Sequence, residues 1–316
     1  MPAKPVLLQV LPLLPALERG LAENYTVHKL PPAGPERDAF LAARGGEFDG
    51  MVTSAQGGAS AALIAALPNL RVISSFGVGL DQFDLQAAAQ RGIPVGYTPE
   101  VLNDCVADLA FSLVLATGRR IPEADRFVRA GRWARKEAFP LGRQVTGAKL
   151  GIVGLGRIGR TVARRASGFD MEVRYHNRRP VEGVAWGYEA KLLELARWAD
   201  FLVVITAGGP ETRHLIADSV LDALGPEGYL VNVSRGTVVD EAALVRALQD
   251  KRIAGAGLDV YEREPNVPEA LFALDNVVLM PHIASSTVQT RQAMAQRVLD
   301  NLAAFYAGRE MPSAAS

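Results

Sequence analysis

Short apolar runs recur along the first third of the chain: "PVLLQV" (5–10), "YTVHKL" (25–30), "FDGMVTS" (48–54) and "LRVISSF" (70–76). Between them lie Ala- and Leu-rich stretches with helical spacing, such as "ASAALIAALP" (59–68). Such alternation predicts parallel strands joined by crossover helices. After "GIPVGYTPE" the pattern changes to one long apolar helix, roughly Val101 to Gly118. The stretch that follows, "RFVRAGRWARKEAFPLGRQVTG" (126–147), is charged and fits no packed βα unit. It reads either as an arm against another subunit, with Trp133 and Phe139 as contacts, or as a surface loop. A second α/β series starts at "KLGIVGLGRIGRTVARRASGF" and continues through strands near "EVRYHN", "DFLVVIT", "GYLVNVS", "AGAGLDV" and "NVVLMP". The last long segment is helical, with apolar positions at Met294, Val298, Leu302 and Phe305.

A length of 316 residues suits two domains, each burying its own core. The 34 basic and 34 acidic residues cancel, so no summed field draws nucleic acid or an anionic membrane. Small molecules and copies of the chain are the expected partners. The apolar opening, "MPAKPVLLQVLPLLPAL", has no basic segment with a cleavage site, and Pro12 and Pro15 interrupt it. "ADLAFSLVLATG" (107–118) is too short to cross a bilayer and carries Asp108. A single cysteine, Cys105, rules out an intramolecular disulfide and fits a reducing compartment. The chain is therefore read as soluble and cytoplasmic.

"GIVGLGRIGR" holds Gly154, Gly156 and Gly159 in the spacing G-x-G-x-x-G, with Arg157 and Ile158 inside the motif. A buried-strand pattern precedes it and a helix pattern follows, the context in which such a loop binds a dinucleotide pyrophosphate at a helix N-terminus. The next strand usually ends in an acid that binds the ribose 2′-hydroxyl. Here "VRYHNRRP" places Asn177, Arg178 and Arg179 instead. A neutral amide and two guanidinium forks suit a 2′-phosphate, so NADP(H) is the preferred cofactor and NAD(H) a possible one. The plainer reading is a pair of solvated arginines.

Three later strand ends carry reactive side chains: Arg235 in "LVNVSRGTVVDE", Asp259, Glu262 and Glu264 in "AGAGLDVYEREP", and His282 in "NVVLMPHIASST". Ligands of open α/β sheets bind where such ends cluster. Of the four histidines, His28 falls in a first-domain strand, His176 beside the 2′-phosphate corner and His214 in a surface turn. His282 remains as the candidate general acid, with Glu264 as the carboxylate that orients it and favours its charged form. Arg235 offers a fork for a carboxylate or, on the plainer reading, a salt bridge at the domain cleft. Gly77 and Gly79 around Val78 form either an amide cup for an anion or a simple tight turn. No metal is called for.

Together "SSFGVGLDQFD", "VLNDCVADLAFSLVLATGRRI", "GIVGLGRIG", "NVSRGTVVDE", "GAGLDVYEREP" and "PHIASST" resemble the D-isomer-specific 2-hydroxyacid dehydrogenases over nearly the whole chain. Within that family the resemblance is to NADPH-preferring glyoxylate/hydroxypyruvate reductases and hydroxyphenylpyruvate reductases. It implies an α/β fold of two doubly wound parallel-sheet domains with the active site in their cleft. One is a flavodoxin-like substrate domain, 1–98 plus 287–316; the other is a Rossmann NAD(P)-binding domain, 99–286. It also implies a homodimer through the cofactor domain, with residues of about 120–147 as the dimerisation arm.

By the same resemblance Arg235 binds the 2-oxo acid, Glu264 and His282 form the acid/base pair, and the Val78 and Gly79 backbone cradles the carboxylate. Asp259 contacts the nicotinamide carboxamide, and Val106 and Thr206 line the cofactor site. The chain departs from the pattern in "TAGGPET", where Gly208 and Gly209 replace bulkier residues, and Cys105 is read as an inert helix residue. The expected activity is NADPH-dependent reduction of glyoxylate or hydroxypyruvate to the D-hydroxy acid. Two alternatives stand beside it: an aromatic 2-oxo acid reductase, and a dinucleotide-sensing, corepressor-like binding protein.

Overall fold

The computed structural model describes residues 4–315, so the first three residues of the apolar opening and Ser316 lie outside the described residues. The chain divides into two compact units, Met1–Leu102 with Ser286–Ser316, and Asn103–Ser285. The first holds β1 (Val6–Gln9), α1 (Pro15–Asn24), β2 (Thr26–Lys29), α2 (Pro35–Arg44), β3 (Gly50–Ser54), α3 (Ala61–Ala65), β4 (Val72–Phe76), α4 (Leu85–Gln90) and β5 (Val95–Gly96). The second holds α5 (Asn103–Gly118), α6 (Ile121–Arg129), β6 (Lys149–Val153), α7 (Arg157–Ala166), β7 (Glu172–His176), β8 (Gly187–Tyr188), α8 (Leu192–Trp198) and β9 (Phe201–Val204). It continues with α9 (Asp218–Leu224), β10 (Tyr229–Asn232), α10 (Glu241–Gln249), β11 (Gly255–Leu258) and β12 (Val277–Leu279), and α11 (Val288–Tyr306) then returns to the first unit.

Both sheets are parallel. In the first unit the order is β2-β1-β3-β4-β5. β3 and β4 are buried at every position, as a strand covered on both faces by helices requires. Ser60 and Asp84 cap α3 and α4 by accepting the backbone N–H of Leu63 and Ala87. Helix α11 closes this unit. Met294, Val298 and Leu302 are buried as the periodicity predicts, whereas Phe305 is half-buried and Ala304 takes the buried place. Its Asn301, fully buried, donates to the Tyr97 carbonyl and accepts the Ser313 N–H, so this polar residue on the buried face has partners.

The seven-stranded sheet of the second unit runs β12-β11-β10-β9-β6-β7-β8. Strand order reverses between β6 and β9, the switch point at which open α/β sheets place a ligand beyond the carboxyl ends of the strands. The long apolar helix begins at Asn103 rather than Val101: after Pro99, the positive φ of Glu100 (71°) turns the chain before the first helical hydrogen bond. The two-residue strands β5 and β8 are too short to leave a pattern in the sequence. In the segment after α5, Phe139 packs edge-on against Phe127 of α6, 5.2 Å between centroids, and Arg132 lies over the same ring. Phe139 is thus occupied within its own chain, while Trp133 and Leu141 are 70% and 95% exposed. Among the described residues no helix is long and apolar enough to cross a membrane.

Candidate active site

The turn from β6 into α7 owes its shape to glycine. Gly154 sits at φ 104°, where an added Cβ would lie 2.8 Å from the Thr206 nitrogen, and a Cβ on Gly159 would lie 2.2 Å from the Gly154 carbonyl oxygen. Gly156 differs, because its Cβ would meet nothing within 4 Å. The space over Gly156 is therefore open at the start of a ten-residue helix that has no side-chain cap and no acid in its first turn. An open helix start of this kind has the space and the charge preference that a pyrophosphate needs. Asn177, just past β7, accepts the Leu155 N–H at 2.7 Å and so braces the loop, a role for which its amide oxygen suffices. Arg178 and Arg179 follow on the surface. Arg178 pairs with Glu211, and Thr206 lies beside the loop against Gly154. The residues present thus fit an NAD(P) dinucleotide.

Three adjacent strands, β10, β11 and β12, deliver the reactive side chains. His282 Nδ1 lies 2.7 Å from Glu264 Oε2, and Glu264 Oε1 accepts the Tyr261 N–H at 3.1 Å. Burial raises the Glu264 pKa. The hydrogen bond and charge of His282, the Tyr261 N–H and the charge of Arg235 outweigh it and hold the carboxyl below its ordinary range. Arg235, just past β10, donates to the Ser234 carbonyl and is only partly exposed.

Residues not anticipated as functional hold these groups in place. Buried Asn232 ends β10, accepts the N–H and hydroxyl of Ser234 and donates to the Arg235 carbonyl, fixing the turn that presents the guanidinium. The signal for it was a lone amide in an otherwise apolar strand, "YLVNV". Gly236 lies so close to Tyr261 that an added Cβ would meet the Tyr261 carbonyl carbon at 1.8 Å, so the β10 and β11 loops touch backbone to backbone. The Tyr261 phenol is pushed up to about 12 by burial and then by the charge of Asp259.

Asp259, expected to face the nicotinamide, is wholly buried, and its two oxygens accept the N–H groups of Ile283 and Ala284 at 2.7 and 2.9 Å. Burial raises its pKa, opposed by those two hydrogen bonds. It anchors the loop on which His282 adopts φ 53°, a conformation that costs a non-glycine residue energy and persists only where neighbours hold it.

Other candidates lie apart. Glu262 does not join the His282 cluster; it pairs with Arg213 and lies 3.1 Å from His214 Nε2, so His214 is a half-buried side chain in polar contact with a carboxylate rather than a bare turn residue. His176 Nδ1 is 2.9 Å from the Glu189 carbonyl oxygen, and His28 lies in β2. Val106 is buried in α5, beside partly exposed Cys105. Val78 and Gly79 belong to the other unit, in the loop after β4. Among the described residues no group of three or more His, Cys, Asp or Glu is arranged to hold a metal ion.

Residues 111–284 match the family described as D-isomer specific 2-hydroxyacid dehydrogenase, NAD binding domain. The chain belongs to that family. It is 45% identical to a hydroxyphenylpyruvate reductase of Plectranthus scutellarioides over 304 residues, 96% of each chain. With a 2-ketogluconate reductase of Gluconobacter oxydans it shares 44% over 311 residues, 98% of each. A solved structure of an NADPH-dependent glyoxylate/hydroxypyruvate reductase from Sinorhizobium meliloti, in complex with NADP and malonate, superimposes with a TM-score of 0.93 at 42% identity, covering 99% of this chain and 97% of that one. The two-domain α/β fold and the assignment as an NAD(P)-dependent oxidoreductase follow.

Proposed function

We propose that the enzyme reduces small 2-oxo acids, glyoxylate and hydroxypyruvate first, with NADPH, and gives the D-hydroxy acid where the product is chiral. The observation that carries the reading is the 2.7 Å pair of His282 and Glu264 on strand ends neighbouring the one that presents Arg235. Bound NADPH supplies a hydride to the carbonyl carbon. Arg235 offers a bidentate fork for the substrate carboxylate. His282 uses Nδ1–H toward Glu264, which leaves Nε2–H to protonate the carbonyl oxygen as charge develops there. Glu264 stays ionised through neutral pH, so it fixes the ring and supports the imidazolium.

In this reading Met1–Leu102 with Ser286–Ser316 is the substrate domain and Asn103–Ser285 the cofactor domain. Exposed apolar side chains at Ile121, Val128, Trp133 and Leu141 support a homodimer through the latter. The single cysteine supports a cytoplasmic setting.

Following NADPH absorbance over a panel of 2-oxo acids tests the assignment. Turnover of glyoxylate and hydroxypyruvate above the rest supports it. A preference for hydroxyphenylpyruvate, which the similarity to the Plectranthus scutellarioides enzyme favours as the second reading, would replace the substrate class. Tight cofactor binding with no turnover of any 2-oxo acid would refute the reductase reading itself.

A further inference from the structure

The loop after β9, "TAGGPET", carries an acid, Glu211, outside the His282–Glu264 cluster. Glu211 Oε2 lies 2.5 Å from Arg178 Nη1. Both side chains are largely solvated, 86% exposed for Arg178 and 75% for Glu211, so the ion pair is weak and exchanges readily for a stronger one. The loop stands clear of its surroundings at Gly209, where φ is 146° and an added Cβ would touch nothing within 4 Å. Arg179 makes no hydrogen bond or ion pair among the described residues. Of the two guanidinium groups offered to a 2′-phosphate, one is therefore already claimed by a carboxylate.

On the reading of Arg178 and Arg179 as the 2′-phosphate site, we infer that Glu211 is a specificity-determining residue. It competes with the 2′-phosphate for Arg178 and so narrows the preference for NADPH over NADH. A phosphate monoester brings nearly two negative charges at neutral pH. To bind, it must take Arg178 from Glu211 and then remain beside the released carboxylate, which repels it. NADH has only a hydroxyl at that position and leaves the ion pair as it is. Glu211 therefore opposes one cofactor and is nearly indifferent to the other, which is how a repulsive element sets specificity.

The test compares the full-length enzyme with Glu211→Gln, alone and in an Arg178→Ala background. Calorimetry measures the affinity for adenosine 2′,5′-bisphosphate against 5′-AMP, and kinetics give KM for NADPH and NADH. Glu211→Gln should tighten the bisphosphate and lower KM for NADPH about three- to tenfold, with changes for 5′-AMP and NADH within about twofold, as expected for removing one solvated charge near a doubly charged group. The gain should shrink as salt is raised. It should also fall well below its full size in the Arg178→Ala background.

Unchanged or weaker bisphosphate binding in Glu211→Gln overturns the proposal, as does a gain of full size without Arg178. If the unmutated enzyme binds the bisphosphate no better than 5′-AMP, the 2′-phosphate reading fails and takes this inference with it. A clear preference in the unmutated enzyme with a silent Glu211→Gln removes this inference alone.

Discussion

The Nδ1 of His282 and Oε2 of Glu264 stand 2.7 Å apart although 18 positions separate them in the chain. The pair forms because β11 and β12 are parallel neighbours, so the loop leaving one and the loop leaving the other open on the same edge of the sheet. Replacing His282 by Ala removes the proposed proton donor and should lower kcat by about 10²- to 10⁴-fold. Cofactor affinity, measured by calorimetry, should stay nearly unchanged. Turnover close to that of the unmutated enzyme would remove His282 from the chemistry.

The same pair has a pH signature. The Glu264 carboxyl is held below its unfolded value, so it stabilises the fold above the ordinary carboxylate range, and that contribution is lost as pH falls through the lowered folded value. Glu264→Gln should therefore lower Tm at neutral pH, and the gap to the unmutated enzyme should close as the solution is acidified. A gap that stays constant with pH would mean that the carboxylate charge is not what stabilises this site.

Two glycines of the G-x-G-x-x-G motif, one at the N-cap of α7 and one inside it, should respond in opposite ways. Gly156→Ala has open space and an ordinary φ of −83°, so Tm should change little, while affinity for NADPH and NADH should fall together about tenfold or more as the methyl group meets the pyrophosphate. Gly159→Ala places a Cβ against the Gly154 carbonyl oxygen and should cost roughly 1–3 kcal/mol of stability. Thermal melts and cofactor titrations of both variants check this.

Changing Arg178 and Arg179 together to Ala should weaken NADPH about ten- to a hundredfold, the size expected when charge-assisted hydrogen bonds are lost. NADH should be affected far less. Equal losses for the two cofactors would contradict the phosphate assignment.

Trp133→Glu combined with Leu141→Glu places charge on side chains that are 70% and 95% exposed in the single chain. If this segment joins two copies, sedimentation velocity should show the variant as a monomer where the unmutated protein is a dimer. A monomeric unmutated protein would make the segment a surface loop.

Much of the fold can be read from the pattern because largely apolar, buried strands announce themselves: "LVNV" and "FLVV" leave little choice, and glycines at 154, 156 and 159 fix the turn into α7. His282, Glu264 and Arg235 stand out as ionisable groups at the ends of apolar runs. What the pattern does not carry is the partner of each polar group. Nothing local shows that Asp259 reaches forward to Ile283, that Asn177 braces Leu155, or that Glu262 turns to His214 instead of His282. Those choices depend on strand register and loop contact, which are long-range. β8 was missed for a related reason, since two residues cannot display a period.

The return of α11 to the first unit has a consequence for synthesis on the ribosome. Residues Met1–Leu102 emerge before the second unit, yet the helix against which β4 packs, and the Asn301, Val298 and Tyr306 partners of Tyr97, Ser74 and Asp49, are translated after it. The N-terminal unit must wait, β4 without its covering helix, while the whole of Asn103–Ser285 is made. A nascent chain halted before Val288 should consequently bind chaperones through its first hundred residues rather than its most recent ones.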